Sequence, residues 1–87
     1  MKVAVWDTYV TKKDGKIMHF DIIAPKEVQD SSTIYAYGKE YLKIKDEEQQ
    51  LLTSKECQFC HIETATDDML KSIKDNGYYI LEMKNCD

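Results

Sequence analysis

Apolar and polar residues alternate near the start of the chain, and this period of two predicts β-strands. The first predicted strand runs from Lys2 to Val10 and the second from Lys16 to about Ala24. Both are rich in β-branched and aromatic residues, which suit a pleated surface. The Asp14-Gly15 pair between them predicts a two-residue hairpin turn, because glycine adopts a positive φ without strain. The core-facing residues of the second strand are predicted to be Met18, Phe20 and Ile22.

The spacing of apolar residues becomes helical after Pro25, which ends the second strand because proline has no backbone N–H to donate. A helix is predicted from an N-cap at Asp30 or Ser31 to about Lys45. Gly38 lies near the middle of its apolar face, where glycine costs up to about 1 kcal/mol relative to alanine. We expect close approach of this helix to the sheet to offset that cost.

The second half of the chain is predicted to carry a helix between two strands. Residues 51–62 contain the first of these strands, although a turn within them is also compatible with the sequence. The helix is predicted from an N-cap at Thr64 or Thr66 to the Asn76-Gly77 pair, where glycine suits the left-handed position that ends a helix. The final strand is predicted over Tyr78 to Met83.

The predicted order of elements is ββαβαβ, which indicates an α+β fold. A chain of 87 residues has room for one core, so residues 1–87 are predicted to form a single domain. We expect a sheet of about four strands with both helices packed on one face.

Charge and hydropathy narrow the functional classes. The net charge is −4, and all twelve basic residues are lysine. This composition argues against nucleic acids and anionic membranes as partners, because both attract positive charge and nucleic acids favour arginine. No segment approaches the roughly 20 apolar residues that span a bilayer, and no secretory signal is evident. The sequence predicts a cytoplasmic protein with no nucleic-acid or membrane partner.

The clearest chemical motif is Cys57-Gln58-Phe59-Cys60-His61. A Cys-x-x-Cys pair can present two thiolates to one zinc ion. The remaining ligands of a tetrahedral site are predicted to come from the set His61, His19 and Cys86. Zinc is the candidate cofactor, although Cys60 and His61 are adjacent and are awkwardly placed to bind one ion together.

Two other interpretations of these cysteines remain open. Cys57 and Cys60 could form and break a redox disulfide, for which a lowered thiol pKa is needed. The flanking acids Glu56 and Glu63 oppose that lowering. Alternatively, the cysteines are structural, because free cysteine often packs as a small buried hydrophobe. In a regular strand residues 57 and 60 point to opposite faces, whereas a turn would let their sulfur atoms converge.

His19 and Asp21 lie on the second predicted strand, on the face opposite its core-facing residues. With a two-residue turn, Thr8 is expected opposite Asp21 and Val10 opposite His19. A histidine with a nearby carboxylate suits acid–base chemistry, but a polar, half-exposed sheet face has the same pattern. Asp7 falls on an otherwise apolar alternation and therefore needs a partner or an edge position.

Four sequence blocks together resemble a small bacterial family described only as domain of unknown function 2024. The blocks are Val5-x-Asp7-Thr8-Tyr9-Val10, Asp14-Gly15-x-x-Met18-His19-Phe20-Asp21, Glu56-Cys57-x-Phe59-Cys60-His61 and Asn76-Gly77-Tyr78-x-Ile80. The likeness spans nearly the whole chain. It implies a compact α+β domain, with no catalytic residue, substrate or cofactor to carry over.

The sequence leaves competing functional hypotheses. The first is a small metal- or thiol-dependent accessory protein that uses Cys57, Cys60 and His61. The second is an interaction module with structural cysteines, which docks another protein through its acidic surface or its tyrosines. Exposed strand edges could also pair two copies into a homodimer. An enzyme acting through His19 and Asp21 is a third hypothesis, and it requires a concave site around those side chains.

Overall fold

The computed structural model describes residues 1–86 as one open antiparallel sheet with two helices. The elements are β1 Lys2–Thr11, β2 Ile17–Pro25, α1 Ser31–Ile44, β3 Cys57–Thr64, α2 Asp67–Asn76 and β4 Tyr79–Lys84. The strand order across the sheet is β3-β1-β2-β4, so the first hairpin forms the centre. The α+β class and the ββαβαβ order predicted from sequence are confirmed.

The turn between β1 and β2 is one residue longer than the sequence predicts. The Lys12 N–H donates to the Lys16 carbonyl oxygen (2.8 Å), which leaves residues 13–15 as the loop, and Gly15 has φ +87°. Three-residue loops that end in a left-handed glycine are a common hairpin solution. The expected pairings of Thr8 with Asp21 and of Val10 with His19 are therefore wrong. Residues 7 and 9 of β1 occupy those places instead.

The two helices cover opposite faces of the sheet, rather than the single face expected from sequence. Ile34 of α1 packs in one core cluster with Ile22, whereas Met69 of α2 packs in a second cluster with Ile23 and Val3. Consecutive strand residues point to opposite faces, so these contacts define an α1 face and an α2 face. The reason is that both faces of the central strands are apolar, and each needs its own cover.

Helix α1 approaches the sheet closely at Gly38, as the sequence predicts. A Cβ atom on Gly38 would lie 2.5 Å from Leu52 Cδ1 and 2.9 Å from Ile22 Cδ1. The N-caps are Asp30 for α1 and Thr66 for α2, each accepting a backbone N–H of the first turn. None of the helices within residues 1–86 is long and apolar enough to cross a membrane.

Helix α2 covers only one end of its face. Its core cluster includes Val3, Val5 and Ile23, which lie at the same end of β1 and β2. At the other end of this face Tyr9 is 51% exposed and Ile17 is 53% exposed. Asp7, His19 and Asp21 of the two central strands lie towards this uncovered end.

Candidate metal centre

Three ligand-type side chains converge at the uncovered end of the α2 face. Asp7 is paired with Asp21 across the central strands, and His19 lies two residues before Asp21 on the same face. His19 Nε2 is 3.8 Å from Asp7 Oδ1 and 3.8 Å from Asp21 Oδ1. One ligand atom from each of the three residues lies within 4.8 Å of the others. We call Asp7, His19 and Asp21 the central cluster.

Two atoms of the central cluster are buried without a hydrogen-bond partner. They are His19 Nε2 and Asp21 Oδ1. The Asp21 side chain is only 10% exposed, so water does not readily solvate its carboxylate. A buried polar atom that lacks a partner costs about 1–3 kcal/mol. Because these atoms face each other beyond hydrogen-bond distance, the cluster has unused coordinating capacity that a cation would satisfy.

The two carboxyl groups have opposite pKa shifts. Burial, followed by the hydrogen bond and the charge of Asp7, raises the pKa of Asp21 to about 7. The hydrogen bond from Asp21 is the largest cause that lowers the pKa of Asp7. The pair therefore shares one proton over the range between these pKa values, because like charges this close resist joint ionisation. A divalent cation would displace that proton and offset both charges.

Tyr9 fixes the orientation of the His19 ring. The two rings stack with centroids 4.1 Å apart and planes inclined by 11°. Tyr9 and His19 are directly paired across β1 and β2, which explains the contact. The stacking limits rotation of the imidazole, so that Nε2 stays directed towards the two aspartates.

The edge strand β3 brings Cys60 and His61 close to the central cluster. The register between β1 and β3 shifts after the Val5–His61 pair, and the next pair is Trp6 with Phe59. Cys60 is therefore the extra residue of a β-bulge. Its Sγ lies 3.2 Å from His61 Nδ1. Partial desolvation and the nearby Asp7 carboxylate raise the pKa of the Cys60 thiol.

A shallow depression of about 370 Å³ lies along this edge, and Asp7, Tyr9 and Cys60 are among its lining residues. His61 is half-exposed, and its Nε2 lies 3.3 Å from Glu63 Oε1. The β3 side of the central cluster is thus open to solvent and carries further groups that can bind a metal or a proton.

The other two cysteines belong to the core of the α1 face. Cys57 and Cys86 are buried in the same cluster as Phe20. Burial is the largest cause that raises the pKa of Cys57. The Cys86 thiol donates to the carbonyl oxygen of His19 (3.3 Å), on the backbone rather than the ring. All three cysteines are free thiols.

Of the residues proposed from sequence, the structure brings His19, Cys60 and His61 to one region and leaves Cys57 and Cys86 in the core. Asp7 and Asp21 are not among the metal ligands predicted from sequence. The sequence does contain one indication of these ligands. Asp7 lies on an otherwise apolar strand face, where a carboxylate needs a partner. The partner is Asp21, but the hairpin register predicted from sequence is shifted by one residue and pairs Thr8 with Asp21 instead.

Comparisons with known proteins agree with the resemblance seen in the sequence. The family model described as "Domain of unknown function (DUF2024)" matches residues 1–83. A protein of Nitrosomonas europaea, whose structure was determined by NMR, is 42% identical over 100% of both chains, with a TM-score of 0.87. No functionally curated protein matches this chain.

Proposed function

The chain belongs to the DUF2024 family, and we propose that it is a metal-binding domain whose ligands are Asp7, His19 and Asp21. The observation that carries the proposal is the pair of buried, unpartnered atoms His19 Nε2 and Asp21 Oδ1. A third ligand atom, from Asp7, lies within 4.8 Å of both residues' ligand atoms. A cation bound among them would give both of these atoms a partner and would replace the proton that the two aspartates share.

The donor set favours a first-row transition metal. One imidazole nitrogen and two carboxylate oxygens are ligands that Zn²⁺, Mn²⁺ and Fe²⁺ accept, whereas Mg²⁺ and Ca²⁺ prefer oxygen ligands alone. Zinc remains the candidate metal, with a ligand set different from the one first predicted. Three protein ligands leave a position for a further ligand, which is typical of zinc sites that are not purely structural.

The proposal includes a cytoplasmic location and an accessory role. Its support is chemical: the three cysteines are unpaired thiols, which persist in a reducing compartment. The depression that Asp7 lines on the β3 side is shallow and open, so it suits exchange of a metal with solvent or with another protein.

The test is calorimetric titration of Zn²⁺ into the chelator-treated protein, together with thermal unfolding. We expect one ion per chain, and stabilisation of about 2.7 kcal/mol when free Zn²⁺ is 100 times its dissociation constant. Asp21→Asn should weaken binding at least tenfold. Asp75→Asn is the matched control, because Asp75 is exposed on α2, away from the central cluster.

Two results would contradict the proposal. One is the absence of stoichiometric binding of Zn²⁺, Mn²⁺ and Co²⁺ by the wild-type protein. The other is equal affinity of the Asp21→Asn and Asp75→Asn variants, because this would place the metal elsewhere.

A protein-interaction module remains a second candidate, favoured by the exposed apolar residues of the edge strand β3. Phe59 is 51% exposed and Ile62 is 46% exposed, and β3 has β1 as its only neighbour in the described sheet. An edge of this kind can pair with another strand. Sedimentation of wild type and of Ile62→Lys tests it: a dimer that the lysine dissociates supports pairing, and a monomer in both removes the homodimer.

A further inference from the structure

We propose that Cys60 is a fourth ligand of the central cluster and that it makes the site selective for thiophilic metals. This inference rests on the proposed function, because Cys60 by itself is a single exposed thiol. It assigns a role to one residue of the Cys57–His61 motif and leaves Cys57 as a core residue.

The β-bulge is the first observation. Alternation from Cys57, which lies in the α1-face core, directs Cys60 towards the α2 face, and the register shift brings the next residue, His61, to that face as well. The register shift leaves Cys60 unpaired, and Cys60 lines the same shallow depression as Asp7. Bulges commonly re-aim one side chain next to a functional site. Here the bulge places a thiol and an imidazole, Cys60 and His61, side by side on one face, next to the Asp7 carboxylate of the central cluster.

The second observation is the position of Asp21, which is nine-tenths buried and has an unpartnered oxygen in the same cluster. This oxygen and His19 Nε2 form the fixed, inner side of the site. Cys60 is exposed on the outer side, so its side chain can rotate towards a metal held by the inner ligands. Coordination by the Cys60 thiol releases its proton to solvent and forms a metal–thiolate bond.

His61 completes the surroundings of the thiol. Its Nδ1 is 3.2 Å from Cys60 Sγ, so it can donate a hydrogen bond to a metal-bound thiolate. Groups that hold a ligand in this way commonly change metal affinity by 10- to 100-fold. A site with thiolate, imidazole and carboxylate ligands binds Zn²⁺, Co²⁺ or Fe²⁺ and discriminates against Mg²⁺ and Ca²⁺.

The experiment uses Co²⁺ as the probe, because its visible d–d absorption reports binding and its near-ultraviolet charge-transfer absorption reports a sulfur ligand. The reduced wild-type chain is titrated beside Cys60→Ser, with Cys57→Ser and Cys86→Ser as matched thiol controls. We expect charge transfer in wild type and in both controls. In Cys60→Ser we expect d–d absorption with no charge transfer and affinity at least tenfold weaker.

The outcomes separate this inference from the proposed function. If wild type binds Co²⁺ with no charge transfer, Cys60 is not a ligand and the metal site itself stands. If Cys60→Ser retains the charge transfer, another thiol binds the ion, which overturns the role of Cys60 and places the metal outside the central cluster. If wild type shows no d–d absorption at all, both the site and the role of Cys60 are overturned. Because Cys60 is exposed, its serine variant should fold, which circular dichroism checks.

Discussion

Asp7 and Asp21 lie directly opposite each other on the two central strands of the sheet. Like charges in this arrangement destabilise a sheet. Both residues are acids, although Val3, Val5 and Ile23 occupy the same face a few positions away. The pair is therefore a local conflict with the surrounding core, and conflicts of this kind are expected at functional sites.

The first prediction concerns the pH dependence of the metal-free protein. The pKa of Asp21 is about 7 in the folded state, against about 3.8 in the unfolded state. The folded state therefore favours the protonated form of Asp21. This contribution to stability is complete below pH 4 and is lost as the pH rises through 7. Between pH 4 and pH 8, the free energy of unfolding of Asp21→Asn should rise by about 2–4 kcal/mol relative to that of wild type. Urea unfolding with chelator present measures this difference.

Asp75→Asn serves as the control for this measurement and should show no such trend. An advantage of Asp21→Asn that stays constant from pH 4 to pH 8 would mean that Asp21 titrates normally in the folded protein. The prediction would then fail, whatever the size of the constant.

The second prediction concerns the stacked pair Tyr9 and His19. Tyr9→Ala should weaken Zn²⁺ binding about tenfold, because it frees the imidazole to rotate. Tyr9→Phe keeps the ring and should bind Zn²⁺ as wild type does. Calorimetric titration measures both, and an equal loss in the two variants would show that the hydroxyl, not the stacking, matters.

The third prediction separates the cysteines by their structural roles. Cys57→Ser should lower the free energy of unfolding by about 1–3 kcal/mol, because it buries a hydroxyl in the α1-face core. Cys60→Ser should change it by less than about 0.5 kcal/mol without metal, since residue 60 is exposed. Urea unfolding with chelator present measures both variants. Similar decreases in the free energy of unfolding would argue against the buried position of Cys57.

The fourth prediction tests the close contact at Gly38. Gly38→Ala should destabilise the protein by about 1–2 kcal/mol. The added Cβ clashes with Leu52, and the free-energy cost of this clash exceeds the gain in helix propensity. The penalty should be smaller in a Leu52→Ala background, where Leu52 Cδ1 is absent. A double-mutant cycle measures this coupling, and additive effects would contradict the contact.

Local features of the sequence predicted the elements well. Asp30 and Thr66 were recognised as candidate N-caps, and Gly77 as the end of the second helix, because these roles depend only on neighbouring residues. Gly38 likewise indicated close packing from its position on one helix face. Each of these signals acts within about one turn of helix, so no knowledge of the tertiary structure was needed.

The candidate site depended on relationships that the sequence leaves undetermined. Asp14-Gly15 fits a two-residue turn and a three-residue turn equally well, since Gly15 tolerates a positive φ in both. The choice decides whether Thr8 or Asp7 faces Asp21. The bulge at Cys60 follows from the fit of β3 against β1, for which there is no local signal.

One sequence pattern in β2 indicates that the two helices cover opposite faces of the sheet. Ile22 and Ile23 are adjacent and both fully buried, so β2 must be covered on both sides. The alternation along β2 predicts only the face of Met18, Phe20 and Ile22 as core. Counting the apolar residues on each face separately would have predicted one helix for each.

The strand order β3-β1-β2-β4 also bears on how the molecule assembles. The two inner strands are consecutive in the chain, and the loop between them comprises only residues 13–15. Closing so short a loop costs little chain entropy, and a hairpin of this kind forms within about 1–10 μs. The central cluster lies entirely on that hairpin. The coordinating geometry can therefore arise early in folding, and the outer strands then add to a template that already exists.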